Sequence, residues 1–351
     1  MLKSVRWFCA RLWPLLIVAL FLPACCGSVK VAEPVAPAAE AAAPAAKPAA
    51  PATETPTATA APVAIEVTPK AVAPLLSEGA AFGPLVNAAW LAARLEDPGI
   101  RTLDVRGDAF AYDAGHVPGA VLVDKAALAQ LLDDPPGMPE TAEAMAALFR
   151  DAGVSDATTV VIYDASTSAW AGRLFWALEY LGHDDVRVLD GGWTRWTCEM
   201  LPTQTEKVTP APGDLTPRVR EDRLATKDWV LANLANPTVL FLDVRSPAEY
   251  TGEEAMAERG GHIPGAVNLE WKLMLAEDGS GTLLPFESVL DVLTTAGVTP
   301  DREVVTYCQI GGRAAHTYLV LKLAGFEKVR LYEGSWTEWG NDPILPVETA
   351  P

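Results

Sequence analysis

One order of motifs occurs twice in this chain, roughly 140 residues apart, and that duplication constrains the fold more than composition does. Leu103-Asp104-Val105-Arg106 returns as Leu242-Asp243-Val244-Arg245, and Gly115-His116-Val117-Pro118-Gly119-Ala120 returns as Gly261-His262-Ile263-Pro264-Gly265-Ala266. Val160-Val161-Ile162-Tyr163-Asp164 matches Val304-Val305-Thr306-Tyr307-Cys308. Val188-Leu189-Asp190-Gly191-Gly192-Trp193-Thr194-Arg195-Trp196 matches the stretch ending at Trp339. A unit of this length is a duplicated domain, not a solenoid repeat. Short β-rich runs (Thr102 to Val105, Val160 to Tyr163, Val186 to Leu189) alternate with helical stretches such as Ala142 to Asp151 and Ala171 to Leu181. The alternation predicts an α/β fold of two domains, each a parallel sheet with helices on both faces. Ligands then belong at the carboxyl ends of the strands.

In the second copy, one such strand end carries a thiol. Val304 to Tyr307 has the β-branched and aromatic character of a buried strand, and Ala315 to Leu323 has helical periodicity that stops at Gly325. Between them runs Cys308-Gln309-Ile310-Gly311-Gly312-Arg313. A helix start leaves backbone N–H groups without partners, and two glycines let those groups crowd around the sulfur. A nucleophilic cysteine needs its thiolate stabilised. The helix terminus contributes only about 0.3–1 kcal/mol, so the reading requires several loop amides and the guanidinium of Arg313 as well. Cys308 is the predicted nucleophile. Arg313, Gln309, Ile310, Gly311 and Gly312 are the predicted cradle for its substrate.

The copies are unequal. Asp164 stands where the second copy has Cys308, and the loop from Ala165 to Arg173 is longer and lacks the two-glycine cradle. The first copy is therefore expected to be catalytically silent.

The second copy resembles the rhodanese family of sulfurtransferases, whose active loop has the form Cys-x-x-Gly-x-Arg. Leu242 to Arg245, Gly261 to Ala266 and Glu333-Gly334-Ser335-Trp336-Thr337-Glu338-Trp339 agree with it as well. The doubled arrangement looks like the tandem rhodaneses, in which an inactive amino-terminal domain packs against the active one and helps wall the pocket. The resemblance implies donor contact by Arg245, although Arg106 fills the same slot in the silent copy and a structural salt bridge would serve both. It also gives His116 a share in a proton relay. Against that, histidines in Gly-His-x-Pro-Gly-Ala loops usually brace a turn. Trp193, Trp196, Trp336 and Trp339 recur in both copies and read as packing.

The function implied is transfer of sulfane sulfur from thiosulfate or a related small anion, through a Cys308 persulfide, to cyanide or a thiol, with no cofactor and no metal. A 3-mercaptopyruvate sulfurtransferase is an alternative, but the small Gly-Ser pair of that class is replaced here by Gln309 and Ile310. A non-enzymatic sulfur carrier or binding module is another. A cysteine phosphatase would carry five residues between Cys and Arg, and this loop has four.

Around these domains the chain reads differently. Lys3, Arg6 and Arg11 precede an apolar run from Leu12 to Ala24, as in a secretory signal. Leu22-Pro23-Ala24-Cys25 resembles a lipobox, which implies acylation of Cys25 and a lipid-anchored protein on the periplasmic side of a bacterial membrane. Residues 26–80, rich in Ala and Pro, predict a disordered tether. Residues 81–205 are then the inactive domain and 222–349 the catalytic one, with a proline-rich connector between them. Of five cysteines, only Cys198 and Cys308 fall in the domains, too few for a disulfide scaffold. The formal charge of −18 excludes general affinity for nucleic acid. It also means that a site for anions must make its own positive field.

Overall fold

The protein is described by a computed structural model covering residues 81–124, 127 and 142–349; the expected signal segment, the tether and Cys25 lie outside the described residues. The first copy runs β1 (Ala81–Phe82), β2 (Leu85–Val86), α1 (Ala88–Ala92), β3 (Ile100–Gly107), α2 (Ala109–Ala114), β4 (Val121–Asp124), α3 (Ala142–Asp151), β5 (Thr159–Tyr163), α4 (Ala169–Tyr180), β6 (Val186–Leu189) and α5 (Gly192–Cys198). The second runs β7 (Leu224–Ala225), α6 (Lys227–Asn233), β8 (Val239–Asp243), α7 (Pro247–Thr251), β9 (Val267–Asn268), α8 (Phe286–Thr295), β10 (Glu303–Tyr307), α9 (Gly312–Leu323), β11 (Val329–Tyr332) and α10 (Ser335–Trp339).

The sheets have one topology. The first is ordered β2-β6-β5-β3-β4 with β1 added antiparallel outside β2, and the second is ordered β7-β11-β10-β8-β9. All other pairings are parallel. The central strands read Thr-Val-Val-Ile-Tyr and Glu-Val-Val-Thr-Tyr and are buried over their last four residues. Such continuous apolar runs suit strands covered on both faces.

The loops preceding β4 and β9 show why the repeat motifs recur. Tyr112 and Tyr250 donate to Ala120 O and Ala266 O at 2.7 and 2.8 Å. His116 and His262 stack on those tyrosines at 3.7 and 3.6 Å, with Nδ1 against the carbonyls of Tyr112 and Tyr250. The histidines brace a turn in both copies.

The copies meet through α4 and α9. The largest buried apolar cluster runs from Leu103, Ile162 and Leu174 in the first copy into Ala315, Leu319 and Leu331 in the second. Gly172 permits the close approach, since a Cβ there would stand 2.8 Å from Ala315 O and 3.0 Å from His316 N. Glycine inside a helix costs roughly 0.5–1 kcal/mol relative to alanine, so a packing reason must offset it. We expect Gly172→Ala to lower stability by about 1–3 kcal/mol through overpacking, despite its better helix propensity. The urea midpoint of folded protein measures this, and an unchanged or raised midpoint would show slack between the helices.

Candidate active site

β10 delivers Cys308 to the carboxyl edge of the second sheet, and Cys308 to Gly311 separate it from α9. The helix begins three residues earlier than its periodicity suggests, because Gly311 turns the chain with a φ of +89°. That turn places the Gly311 N–H 3.1 Å from Cys308 Sγ. A Cβ on Gly311 would stand 2.8 Å from Glu333 Oε2 and 2.9 Å from Arg173 Nη1, so the position needs glycine for space as well as for φ. Gly312 meets nothing within 4 Å and has no such need.

The segment after β11 clamps this loop. Cys308 N donates to Ser335 Oγ at 3.2 Å, Trp336 N donates to Cys308 O at 2.9 Å, and Thr337 N and Oγ1 donate to Gln309 O at 3.0 and 2.8 Å. Gln309, expected to face the donor, instead gives its side-chain amide to Met256 O and Thr337 Oγ1. Ile310 is 47% exposed and forms an outer rim.

Two guanidinium groups serve the loop. Arg313 donates from both terminal nitrogens to Glu249, at 2.7 and 2.8 Å, and Cys308 lies close enough to favour its charge. Burial opposes the Arg313 charge, but Glu249 and Cys308 outweigh it and hold the group above its ordinary pKa. Burial likewise raises Glu249, yet the Arg313 fork and the Ser246 N–H bring its carboxyl to about 2. The second guanidinium comes from the silent copy. Arg173, 1% exposed, donates from Nη1 to Ile310 O at 2.7 Å and is ion-paired with Glu333. Burial pushes it down to about 9 while the charge of Cys308 pulls it up, so it stays a cation at neutral pH.

Arg245, expected at the donor, is placed elsewhere. It is 1% exposed, bonds Asp243 through Nε and Nη2, donates to Gly261 O at 2.7 Å, and lies 4.5 Å over the Trp336 ring. Arg106 repeats this with Asp104, Gly115 O and Trp193. An arrangement kept in the copy without a nucleophile belongs to the fold, which corrects the donor-contact reading.

The silent loop also differs from expectation. It is one residue longer than its twin, and it does form an amide cradle. Asp164 fills that cradle, accepting from Ser166 N and Ser168 N on Oδ1 and from Trp170 N and Ala171 N on Oδ2. A cavity of about 730 Å³ opens beside Ser166 and Thr167, walled by Trp271, Leu275 and Val292. Cys308 does not line it, so chemistry and not volume marks the active loop.

Sequence reasoning missed Glu249, Arg173 and Glu333. Arg173 and Glu333 meet across domains and leave no local signal. Glu249 was visible as the last residue of Ser246-Pro247-Ala248-Glu249, a capping box formed here in full.

These observations define a class: a doubled α/β protein in which one copy carries a strand-end thiol against a loop amide and the other carries a carboxylate in the same place. Comparison with known proteins agrees with it. The rhodanese-like domain family matches residues 87–199 and 226–342. A thiosulfate sulfurtransferase of Azotobacter vinelandii is 39% identical over 265 residues, covering 75% of this chain and 96% of that protein. A sulfur carrier protein of Thermus thermophilus is 37% identical over 276 residues, covering 75% and 95%. An anaerobic ergothioneine biosynthesis enzyme from Chlorobium limicola, solved with trimethyl histidine, shares the fold with a TM-score of 0.67 at 26% identity, over 76% of this chain and 70% of that one. The chain belongs to the rhodanese family and is a sulfurtransferase.

Asp164→Asn tests the division of labour. An amide offers one acceptor oxygen where four N–H groups converge, so stability should fall by about 1–3 kcal/mol. Sulfur transfer by folded variant should stay within about tenfold of wild type, or ~1.4 kcal/mol. A larger loss would give the first copy a part in the chemistry.

Proposed function

We propose that this protein is a thiosulfate sulfurtransferase working through a Cys308 persulfide. The observation that carries the reading is the Cys308 thiol at a strand end, with the Gly311 N–H at 3.1 Å and the Arg313 guanidinium beside it. The A. vinelandii relative bears the name of this activity. In the first half-reaction the Cys308 thiolate attacks the outer sulfur of thiosulfate. A Cys308 S–S bond forms, the donor's S–S bond breaks, and sulfite leaves with its electron pair. In the second, cyanide or a thiolate takes the outer sulfur and returns the Cys308 thiolate. Neither step needs an oxidant or a metal. Gly311 N–H and Arg313 hold charge at the sulfur, and Arg173 keeps the Ile310 carbonyl turned from it. The donor enters past exposed Ile310 and the partly exposed Arg313.

Thiosulfate alone should add the mass of one sulfur atom to the protein, and cyanide should remove it. Cys308→Ser should abolish both, since oxygen at neutral pH is not a comparable nucleophile. Arg313→Ala should lower kcat/KM for thiosulfate at least tenfold, because it removes a charged hydrogen bond worth roughly 1.5–3 kcal/mol. Arg245→Ala should act through stability. A sulfur adduct that persists in Cys308→Ser would move the chemistry to another residue.

The same proposal includes export and a lipid anchor at Cys25. Its support is the basic and apolar leader followed by Leu22-Pro23-Ala24-Cys25 and by no acidic residue through Ser28. An acylated Cys25 would tether the domains to the periplasmic face of a bacterial membrane. Cys25→Ser should shift the protein from the membrane to the soluble fraction in a Gram-negative host. Unchanged fractionation and N-terminal mass would refute the anchor.

A further inference from the structure

We infer that Glu249 is a specificity-determining residue: by occupying the Arg313 fork it lowers the negative charge that this site accepts in a sulfur donor. The inference rests on the sulfurtransferase reading and adds a residue outside the motif that suggested it. Both terminal nitrogens of Arg313 are committed to the two Glu249 oxygens, at 2.7 and 2.8 Å. Glu249 is fixed from behind by the α7 cap, where Ser246 N donates to Oε2 at 3.1 Å and Glu249 N donates to Ser246 Oγ at 3.2 Å. The carboxylate is 8% exposed and Arg313 27%, so an incoming donor meets the cation first, with its counter-charge already in place. The other cation at the loop, Arg173, is ion-paired with Glu333 through Nη2 while its Nη1 holds Ile310 O.

The duplicated domain supplies an internal control. Tyr112 and Tyr250 occupy the same position after their helix caps, which aligns Glu249 with Ala111. The first turns of α4 and α9 align Arg313 with Trp170. The carboxylate and its arginine thus occur together in the copy that has a thiol and are both absent from the copy that does not. A residue needed only to cap the helix would not follow that pattern, since α2 is capped without one by Asp108.

A donor must therefore share Arg313 with a fixed anion. Coulomb energy is linear in the donor's charge. Thiosulfate, a dianion, pays twice what a monoanionic alkylthiosulfonate pays, and the logarithm of the effect on KM doubles.

The test compares thiosulfate with methanethiosulfonate as donors, cyanide being the acceptor, in wild type and Glu249→Gln. Glutamine keeps the side-chain length and can still form the capping box. The expected result is a fall in KM of about tenfold for thiosulfate and about threefold for methanethiosulfonate, larger than any change in kcat, as for an interaction felt equally in ground and transition states. Glu249→Ala, which installs the residue that α2 carries, should give the same order of donors if the glutamine variant folds poorly. A rise in KM for both donors would make Glu249 only an orienter of Arg313 and overturn the inference, as would equal shifts for the two. Intact mass after thiosulfate separates the failures. A sulfur on Cys308 with equal shifts overturns the Glu249 role alone, and no sulfur on wild-type Cys308 overturns the sulfurtransferase reading with it.

Discussion

The contact on which the site depends is the close crossing of α4 and α9 at Gly172. Because those helices touch backbone to backbone, the residue following Gly172 is carried into the other domain's loop. Arg173 reaches Ile310 O and Glu333 from there. The fifth residue of α9, His316, makes the reciprocal approach. It is fully buried, packs edge-on against Trp271 at 5.3 Å and lies by the Thr167 backbone of the silent loop. Burial pushes His316 to about 4, so the silent loop receives a neutral ring where the active loop receives a cation. Asp190, the counterpart of Glu333, correspondingly takes the Leu283 N–H at 3.0 Å, and burial lifts it to about 7. The same crossing thus carries a cation to one loop and a neutral ring to the other.

A buried ion pair such as Arg173–Glu333 is weak evidence for stability, since desolvation of two charges offsets most of their attraction. Removing one partner is a different matter and typically costs ~3–5 kcal/mol. The pair is better understood through what it shapes. It sits where a Cβ of residue 311 would be, and it holds the Ile310 carbonyl, so it fixes the turn that aims the Gly311 N–H at Sγ. The active loop can form one amide contact to the sulfur in four residues because a second domain supplies part of its wall.

The fold was legible because both copies repeat the residues that make it. Val186 to Leu189 and Ala142 to Asp151 match their elements at both ends, and the other elements differ by one to three residues at one end or both. The strand, turn and helix start that carry Cys308 and Arg313 were legible because they are contiguous in the chain. Arg245 was misplaced by analogy, although its twin Arg106 already argued for a structural role. Where several amides were expected at Sγ, the hydrogen bond found there among the described residues comes from Gly311 N–H. Arg173 was read as the end of the silent loop, but helix register makes it the counterpart of His316. Nothing along the chain indicates that its partners lie more than a hundred residues away.

The duplication also separates what the fold requires from what the chemistry requires. The Asp–Arg fork under a tryptophan, the tyrosine–histidine stack and the backbone clamp from the last helix occur in both copies. Trp193 N and Thr194 N hold Asp164 O and Ala165 O as Trp336 N and Thr337 N hold Cys308 O and Gln309 O. Around the nucleophile's position the copies differ in Asp164 for Cys308, Trp170 for Arg313 and Ala111 for Glu249, besides the extra loop residue and the Arg173–His316 and Asp190–Glu333 exchanges. A thiol at position 164 alone would sit at a strand end without a neighbouring guanidinium. The amides that receive Asp164 would lose an anion that accepts from four of them. The silent loop is therefore a stable alternative filling of the same cradle, in which a fixed carboxylate takes the place that the active loop keeps for a reactive sulfur.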